Sequence, residues 1–160
     1  MASRTGIQPD EFAELALSIR KMKPGDLRQV IEIENKSFSN PWPGHCFQII
    51  LQDRSVWSIV ACLDETVTGF LIGVVDGEGL LIADIAVDPA WRRHGIARKL
   101  LSAALLFARK QGFAYAVLDV RQSNEGAIRL YQGYGFIVVG KRPLYYSAPD
   151  EDALVMRLIF

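Results

Sequence analysis

The fold of this chain is decided by residues 85–101, with the sequence IAVDPAWRRHGIARKLL. An apolar run leads into a proline turn, a basic loop with a glycine, and then a helical pattern. From Ala97 onward, apolar residues recur at the three- and four-residue spacing of a helix with one face in the core. The basic loop therefore lies at the N-terminus of that helix.

A loop of this kind is suited to bind an anion. The first amides of a helix lack intrahelical partners, and the helix dipole is positive at that end. Gly95 lets a phosphate approach the backbone, and Arg92 and Arg93 add guanidinium groups that match phosphate oxygens. Many α/β proteins carry a similar turn without a ligand, so the loop alone leaves both interpretations open. Neither a GxxxxGK[ST] loop nor a GxGxxG fingerprint occurs in the sequence.

The composition is that of one ordinary globular domain. The chain has 160 residues, of which 50% are hydrophobic and 22% are charged. The 18 Lys and Arg residues balance 18 Asp and Glu residues, which argues against direct nucleic-acid binding as the main function. A signal-peptide core and a run of 18 apolar residues are both lacking, so we expect a cytoplasmic protein without a membrane span.

The cysteines and histidines predict no metal site. Cys46 and Cys62 have neither CxxC spacing nor neighbouring histidines, so we expect them to be reduced, packed thiols. His45 and His94 are likewise isolated, and we expect His94 to face solvent or a phosphate.

The remaining pattern predicts an alternation of strands and helices. Helices begin near Asp26, Gly44, Ala97 and Glu125, with Asp26 and Asn124 as candidate caps. The two strands that flank the long helix form a βαβ crossover, so they are predicted to be parallel. Predicted strands span residues 18–22, 56–63, 67–75, 80–87, 115–120, 136–140 and 153–158. Residues 1–17 precede these elements and contain a short amphipathic segment, either packed on the domain, frayed or bound to a partner.

Five blocks, in order, resemble the motifs of one family. The loop Arg92-x-x-Gly95-x-Ala97 is similar to the Q/R-x-x-G-x-G/A loop for the acetyl-CoA pyrophosphate in the GNAT superfamily of N-acetyltransferases. The other blocks are SNPW at 39–42, VRQSNEGA at 120–127, LYQGYGF at 130–136, and YY at 145–146 followed by EDALVM at 151–156. Within the superfamily, they resemble the RimI-type peptide N-terminal acetyltransferases.

This resemblance implies an α/β fold of the GNAT type. Such a fold has a mixed, mainly antiparallel sheet with helices on both faces. Its central parallel strands, here 80–87 and 115–120, splay apart and receive the acyl-pantetheine arm of acetyl-CoA. The implied organisation is an N-terminal extension at residues 1–17 and an acetyltransferase domain at residues 18–160.

The resemblance also implies the residues of the site. Asp119 occupies the position of the family's catalytic base, usually Glu, and its shorter side chain makes a water relay more necessary; Glu32 and Glu34 are alternative bases. Tyr131 matches the general acid near the CoA sulfur. Without a GxSxG elbow, nothing indicates a covalent serine route. The implied acetyl-CoA-binding residues are Ile85, Ala86, Val87, Arg92, Arg93, His94, Gly95, Ile96, Ala97, Asn124 and Tyr131.

A peptide groove is implied between two aromatic segments. The first contains Phe38, Pro41 and Trp42, although such a Trp is more commonly half-buried packing, and the second contains Tyr145 and Tyr146. The acidic residues 150–152 are expected to attract basic side chains of the peptide and to be partly structural.

The resemblance implies an acetyl-CoA-dependent enzyme that acts on a polypeptide N-terminus, with the alanine of a ribosomal protein as the expected partner. Two alternatives stay open. The enzyme acetylates lysine side chains or a small amine, or the chain is a non-catalytic acyl-CoA-binding regulatory module, which the change from Glu to Asp at position 119 keeps open. The oligomeric state is not predicted.

Overall fold

The computed structural model of this chain describes residues 17–160. Its strands are β1 (Leu17–Lys21), β2 (Val56–Leu63), β3 (Thr66–Asp76), β4 (Gly79–Val87), β5 (Tyr115–Arg121), β6 (Ile137–Tyr146) and β7 (Glu151–Ile159). They form one sheet in the order β1-β2-β3-β4-β5-β7-β6. Only β4 and β5 pair in parallel among these strands, and the other neighbours are antiparallel.

Helices cover both faces of this sheet. The helices are α1 (Leu27–Ser37), α2 (Gly44–Gln52), α3 (Ile96–Lys110) and α4 (Glu125–Gly133). One core cluster contains the buried stripe of α3 together with Tyr131 of α4, and the other joins α1 and α2 to the opposite face. Alternate residues of β2 and β3 enter the two clusters, because successive strand side chains point to opposite faces. The predicted mixed sheet with helices on both faces is confirmed.

The two parallel strands splay apart, as predicted. Pairing between β4 and β5 runs from Gly79 with Tyr115 to Ile82 with Leu118 and then stops, although both strands continue. A register shift between β3 and β4 skips Ala83 at this point. The skipped residue is a bulge, which bends the strand locally. Residues 83–87 and 119–121 therefore border an opening in the sheet.

Two local predictions differ from the structure. The strand predicted at residues 136–140 is instead β6, Ile137–Tyr146, and nearly all of its residues are exposed at the edge of the sheet. Asp26 is the N-cap residue of α1, as predicted, but its side chain makes no capping hydrogen bond to that helix. Its carboxylate accepts the Lys23 N–H at 2.8 Å and pairs with Arg20 of β1 at 2.7 Å. The cap at Asn124 is confirmed, because its Oδ1 accepts the Ala127 N–H at 3.2 Å.

The predicted N-terminal extension lies outside the described residues except for Leu17, which begins β1. Cys62 is buried and Cys46 is half-buried, and neither is in a disulfide. Within residues 17–160, no group of three or more His, Cys, Asp or Glu side chains is arranged to hold a metal ion. In the same range, every helix is too short or too polar to cross a membrane.

Candidate active site

The basic loop connects β4 to α3 through a short, internally bonded turn. Asp88 accepts the Ala90 N–H at 2.9 Å and so fixes the single 3₁₀ turn Pro89–Trp91. Gly95 then begins α3 with a φ of +74°, in the left-handed region that glycine adopts without strain. No atom lies within 4 Å of the place where a Cβ would stand on Gly95. The start of α3 is therefore open to a ligand.

Arg92 and Arg93 both line the groove beside the loop, and Arg92 is held in place by hydrogen bonds. Arg92 donates its Nε–H to the Val87 carbonyl at 3.1 Å and contacts the Ser37 hydroxyl at 3.4 Å. The first backbone bond of α3 runs from the Lys99 N–H to the Gly95 carbonyl, so the preceding amides point out of the helix end. Positive charge and outward amides thus converge on one surface.

A groove of about 670 Å³ extends from this loop toward α4. Its lining includes every residue predicted to bind acetyl-CoA except His94, whose ring Nδ1 lies 2.7 Å from the Arg92 carbonyl oxygen. Phe38, predicted for the peptide side, also lines it. Seven further residues line the groove and were not predicted to do so, because most of them carry no charged or nucleophilic group. They are Ser37, Phe38, Trp91, Arg98, Gly126, Ala127 and Leu130.

Asp119 lies on β5 where that strand leaves β4. Leu118 and Val120 enter the core under α3, so Asp119 points to the opposite face, on the side of α1. Its Oδ1 accepts the Arg142 Nε–H at 3.2 Å, across from β6. A carboxylate therefore stands at the opening, fixed by a charge-assisted hydrogen bond.

Tyr131 closes the inner end of the groove. Its ring is 6% exposed and packs 5.9 Å from the ring of Phe136. Burial raises the pKa of the Tyr131 phenol well above its ordinary range, and the nearby groups Tyr146 and Asp84 raise it further. The phenol therefore stays protonated at any working pH and can donate a proton into the groove.

The two aromatic segments predicted to line the peptide groove meet on the α1 face. The amide of Asn40 donates to the Ser147 hydroxyl at 3.0 Å and joins the segments directly. The Tyr145 side chain is 55% exposed, whereas Trp42 is half-buried 5.8 Å from Phe47. Trp42 thus has the packing role that was the alternative for it, and its part in a peptide groove stays a prediction.

Tyr146 links this region to β5. The Arg121 guanidinium lies 4.5 Å from the centre of its ring and donates to the Ser147 carbonyl at 2.9 Å. Burial and the neighbouring Asp119 carboxylate raise the pKa of Tyr146 to about 12. The loop between β6 and β7 is therefore anchored next to Asp119.

The acidic residues 150–152, at the start of β7, mostly stabilise the adjoining loop. Glu151 accepts the Ser123 N–H at 2.6 Å and pairs with Arg121, while Asp152 accepts the Leu144 N–H at 2.8 Å. Both carboxylates have pKa values below their usual range, chiefly because of these hydrogen bonds.

Two buried carboxyl groups next to the opening were not predicted as a pair. Asp84 of β4 is 8% exposed and Glu34 of α1 is 2% exposed. The sequence pattern indicated Glu34 only as an alternative base, and it indicated no role for Asp84. The available signal was a charge inside each of two apolar patterns, the strand GLLIADIAV and the inner face of α1.

The chain is similar to acetyltransferases over most of its length. Residues 27–136 match the acetyltransferase (GNAT) family. A ribosomal protein bS18-alanine N-acetyltransferase of Escherichia coli is 32% identical over 143 residues, which are 88% of this chain and 96% of that one. An uncharacterized Mycobacterium leprae protein is 35% identical over 145 residues, but this chain spans only 40% of its length.

Solved structures show the same fold. The crystal structure of the Escherichia coli ribosomal-protein-S18-alanine N-acetyltransferase has a TM-score of 0.84 and 31% identity, covering 89% of this chain and 93% of that one. Ard1 from Thermoplasma volcanium has a TM-score of 0.84 and 29% identity, covering 91% and 98%. These similarities extend across the groove and the splayed strands, and the chain accordingly belongs to the GNAT family as an N-acetyltransferase that uses acetyl-CoA as its acyl donor.

Proposed function

We propose that this enzyme acetylates the N-terminal α-amine of a polypeptide, and that its substrate is the N-terminal alanine of a ribosomal protein. The observation that carries the proposal is the Asn40–Ser147 hydrogen bond, which joins two aromatic segments on the face where Asp119 points. The similar Escherichia coli enzyme is named for the alanine of ribosomal protein bS18, which supports the choice of substrate. A ribosomal substrate implies that the enzyme works in the cytoplasm.

The two substrates approach from opposite faces of the opening. The groove beside the α3 N-terminus accommodates the anionic and pantetheine parts of acetyl-CoA, and the acceptor enters beside Tyr145 on the α1 face. The amine attacks the thioester carbonyl carbon, a C–N bond forms, and the C–S bond then breaks. Asp119 receives the proton lost by the nitrogen, through water, and the Tyr131 phenol gives a proton to the departing sulfur. Both groups then exchange their protons with solvent.

An α-amine suits a weak, water-relayed base. Its pKa is ~8, so roughly a quarter is already neutral near pH 7.5, whereas about one lysine in a thousand is neutral there. A carboxylate held by Arg142 therefore has little proton transfer to perform on an N-terminus.

The test is a comparison of initial rates across a panel of acceptors. The panel contains a peptide that copies the N-terminus of ribosomal protein bS18, the same peptide with other first residues, and small amines such as spermidine. We expect the Ala-initiated peptide to have the highest kcat/KM. Faster acetylation of a small amine would overturn the proposal, and acetyl-CoA binding without any product would favour the regulatory module.

Gly95→Asp should weaken acetyl-CoA binding about tenfold or more, because the new carboxylate occupies and repels the site of the phosphates. Isothermal calorimetry measures the affinity. Gly95→Asn is the neutral control, since Asn tolerates the left-handed backbone. Gly77→Asp is a second control, because Gly77 has a φ of +58° and lies in the turn before β4, at the far end of that strand. Unchanged affinity in folded Gly95→Asp would remove the loop from the acetyl-CoA site.

Tyr145→Ala and Trp42→Ala should raise the KM for peptide by about fivefold or more, as aromatic contacts at binding surfaces commonly contribute, with a smaller effect on the KM for acetyl-CoA. Steady-state kinetics with each substrate varied in turn gives both constants. Ile49→Ala is the control, because Ile49 is 64% exposed on α2. Equal effects on both substrates would contradict the assigned groove.

A further inference from the structure

Asp84 and Glu34 are buried side by side although both are acidic. Asp84 directly follows the bulge at Ala83, and Glu34 is on the buried face of α1 together with Val30 and Ile33. Glu34 lies close enough to Asp84 to act on its carboxyl group both as a hydrogen-bond partner and as a negative charge. Such a contact is favourable only when the pair holds a proton, because two buried carboxylates repel each other.

The remaining contacts of Asp84 and Glu34 indicate that the proton lies between them. Glu34 Oε1 accepts the Trp42 N–H at 3.1 Å, so this oxygen is already satisfied. Glu34 Oε2 and Asp84 Oδ2 are buried, and no donor from the described residues reaches either atom. Burial, and then the hydrogen bond and the negative charge of Glu34, raise the pKa of Asp84 well above its ordinary range. A proton shared between the two groups satisfies both orphan oxygens.

We propose that Asp84 and Glu34 form a proton-sharing pair that positions residues 38–43 as one wall of the acceptor groove. The pair links β4, at the edge of the opening, to α1, and the hydrogen bond from the Trp42 N–H to Glu34 extends this link to residues 38–43. This inference rests on the proposed function, in which the same segment contacts the peptide. Asp84 and Glu34 are thus positioning residues, distinct from Asp119 and Tyr131.

Loss of the shared proton should release the segment. Among residues 17–160, the titratable and polar groups that face the pair are Tyr131 of α4, the Ile85 N–H of β4 and the Trp42 N–H. None of these is a cation, so a second negative charge on Asp84 would meet no compensation. Glu34 would be repelled, its bond to Trp42 would weaken, and peptide binding would weaken with it.

The test compares Asp84→Leu and Asp84→Asn with the wild type. Leucine removes the donor to Glu34, so we expect the peptide KM to rise about tenfold at pH 7, with little change in the KM for acetyl-CoA. The Asn amide donates to Glu34 at every pH and should recover most of that loss. Asp26→Asn, which breaks the Arg20 pair at the other end of α1, should leave the peptide KM unchanged.

The pH dependence of the peptide KM distinguishes a positioning role of the pair from a role in protein stability alone. Between pH 7 and pH 10, the ratio of the wild-type peptide KM to that of Asp84→Asn should rise about fivefold or more, and this ratio cancels the titration of the peptide's own amine. Hydrogen exchange, measured as the protection factor of the 38–43 amides, should fall over the same range in the wild type but not in Asp84→Asn.

The exchange measurement needs no peptide, so it tests the pair even if the proposed function fails. A constant KM ratio together with unchanged protection would overturn the proposal. So would wild-type kinetics and protection in Asp84→Leu. If Asp84→Leu does not fold, the comparison of Asp84→Asn with the wild type still decides.

Discussion

Tyr131→Phe is expected to lower kcat by about a hundredfold or more, within the range of general-acid effects, while acetyl-CoA affinity stays nearly unchanged. The departing thiolate has a conjugate acid of pKa ~8.5, below the raised pKa of the buried Tyr131 phenol, so the phenol stabilises the sulfur first by a hydrogen bond and transfers its proton only as the C–S bond breaks. Because burial keeps the Tyr131 phenol protonated, the acid is in its active form across the working range. Phenylalanine preserves the contact with Phe136 and removes only the hydroxyl.

Steady-state kinetics from pH 6 to 10 on an Ala-initiated peptide, with calorimetry for acetyl-CoA, would measure both effects. Tyr134→Phe is the matched control on the same part of the chain. Its hydroxyl bonds to Ser102 at 2.6 Å and to the Arg98 carbonyl at 2.9 Å, so it should retain near-normal kcat. Near-normal turnover in Tyr131→Phe would remove Tyr131 as the acid.

Asp119→Asn is expected to reduce kcat by about ten- to a hundredfold near pH 7.5, toward the weak end of general-base effects. Asn keeps a hydrogen-bonding side chain beside Arg142 but cannot accept the proton of the amine. The loss should shrink at higher pH, because more of the α-amine is already neutral there.

The pH–rate profile of the Asp119→Asn enzyme checks this directly, with the exposed Asp76→Asn at the end of β3 as control. If that profile matches the wild type, the base lies elsewhere. Glu32 is an exposed partner of Arg28 on α1, and Glu34 is buried against Asp84. Of these two alternatives, Glu34 is the one that lies next to β4, beside Asp84.

The sequence pattern predicted those helices and strands in which the same face is buried along the whole element. The stripe after Gly95 became α3, with Leu100, Leu101 and Ala104 buried as the period requires. The two strands that flank α3 are parallel, because the helix carries the chain back to the end of the sheet at which β4 began. Their splay was implied by the family resemblance rather than by periodicity.

The edge strand β6 was underestimated because its pattern carries no burial signal. Among the described strands it pairs only with β7, so its outer edge is free, and nearly all of its side chains are exposed. Lys141, Arg142 and Pro143 are typical of turns and of sheet edges alike, and a proline is tolerated on an edge strand. The residue pattern alone therefore predicts that this strand ends at residue 140.

Contacts between residues far apart in the chain could not be predicted from local pattern. Asp26 resembles a helix cap, but its partner is Arg20 on a strand. The pairing of Asp84 with Glu34 joins β4, directly after its bulge, to α1. Likewise, the motif places Asp119 at the end of β5 but says nothing of Arg142, which comes from β6.

The central claim is that the acceptor is the α-amine of a polypeptide. The most direct test is one peptide that begins with alanine and also contains an internal lysine, treated with acetyl-CoA and enzyme at pH 7.5 and then mapped by tandem mass spectrometry. We predict that acetylation of the N-terminal nitrogen exceeds acetylation of the lysine by about a hundredfold or more. The difference in the neutral fraction of the two amines alone is of that order. Comparable acetylation of the lysine, or acetylation at lysine alone, would contradict the account.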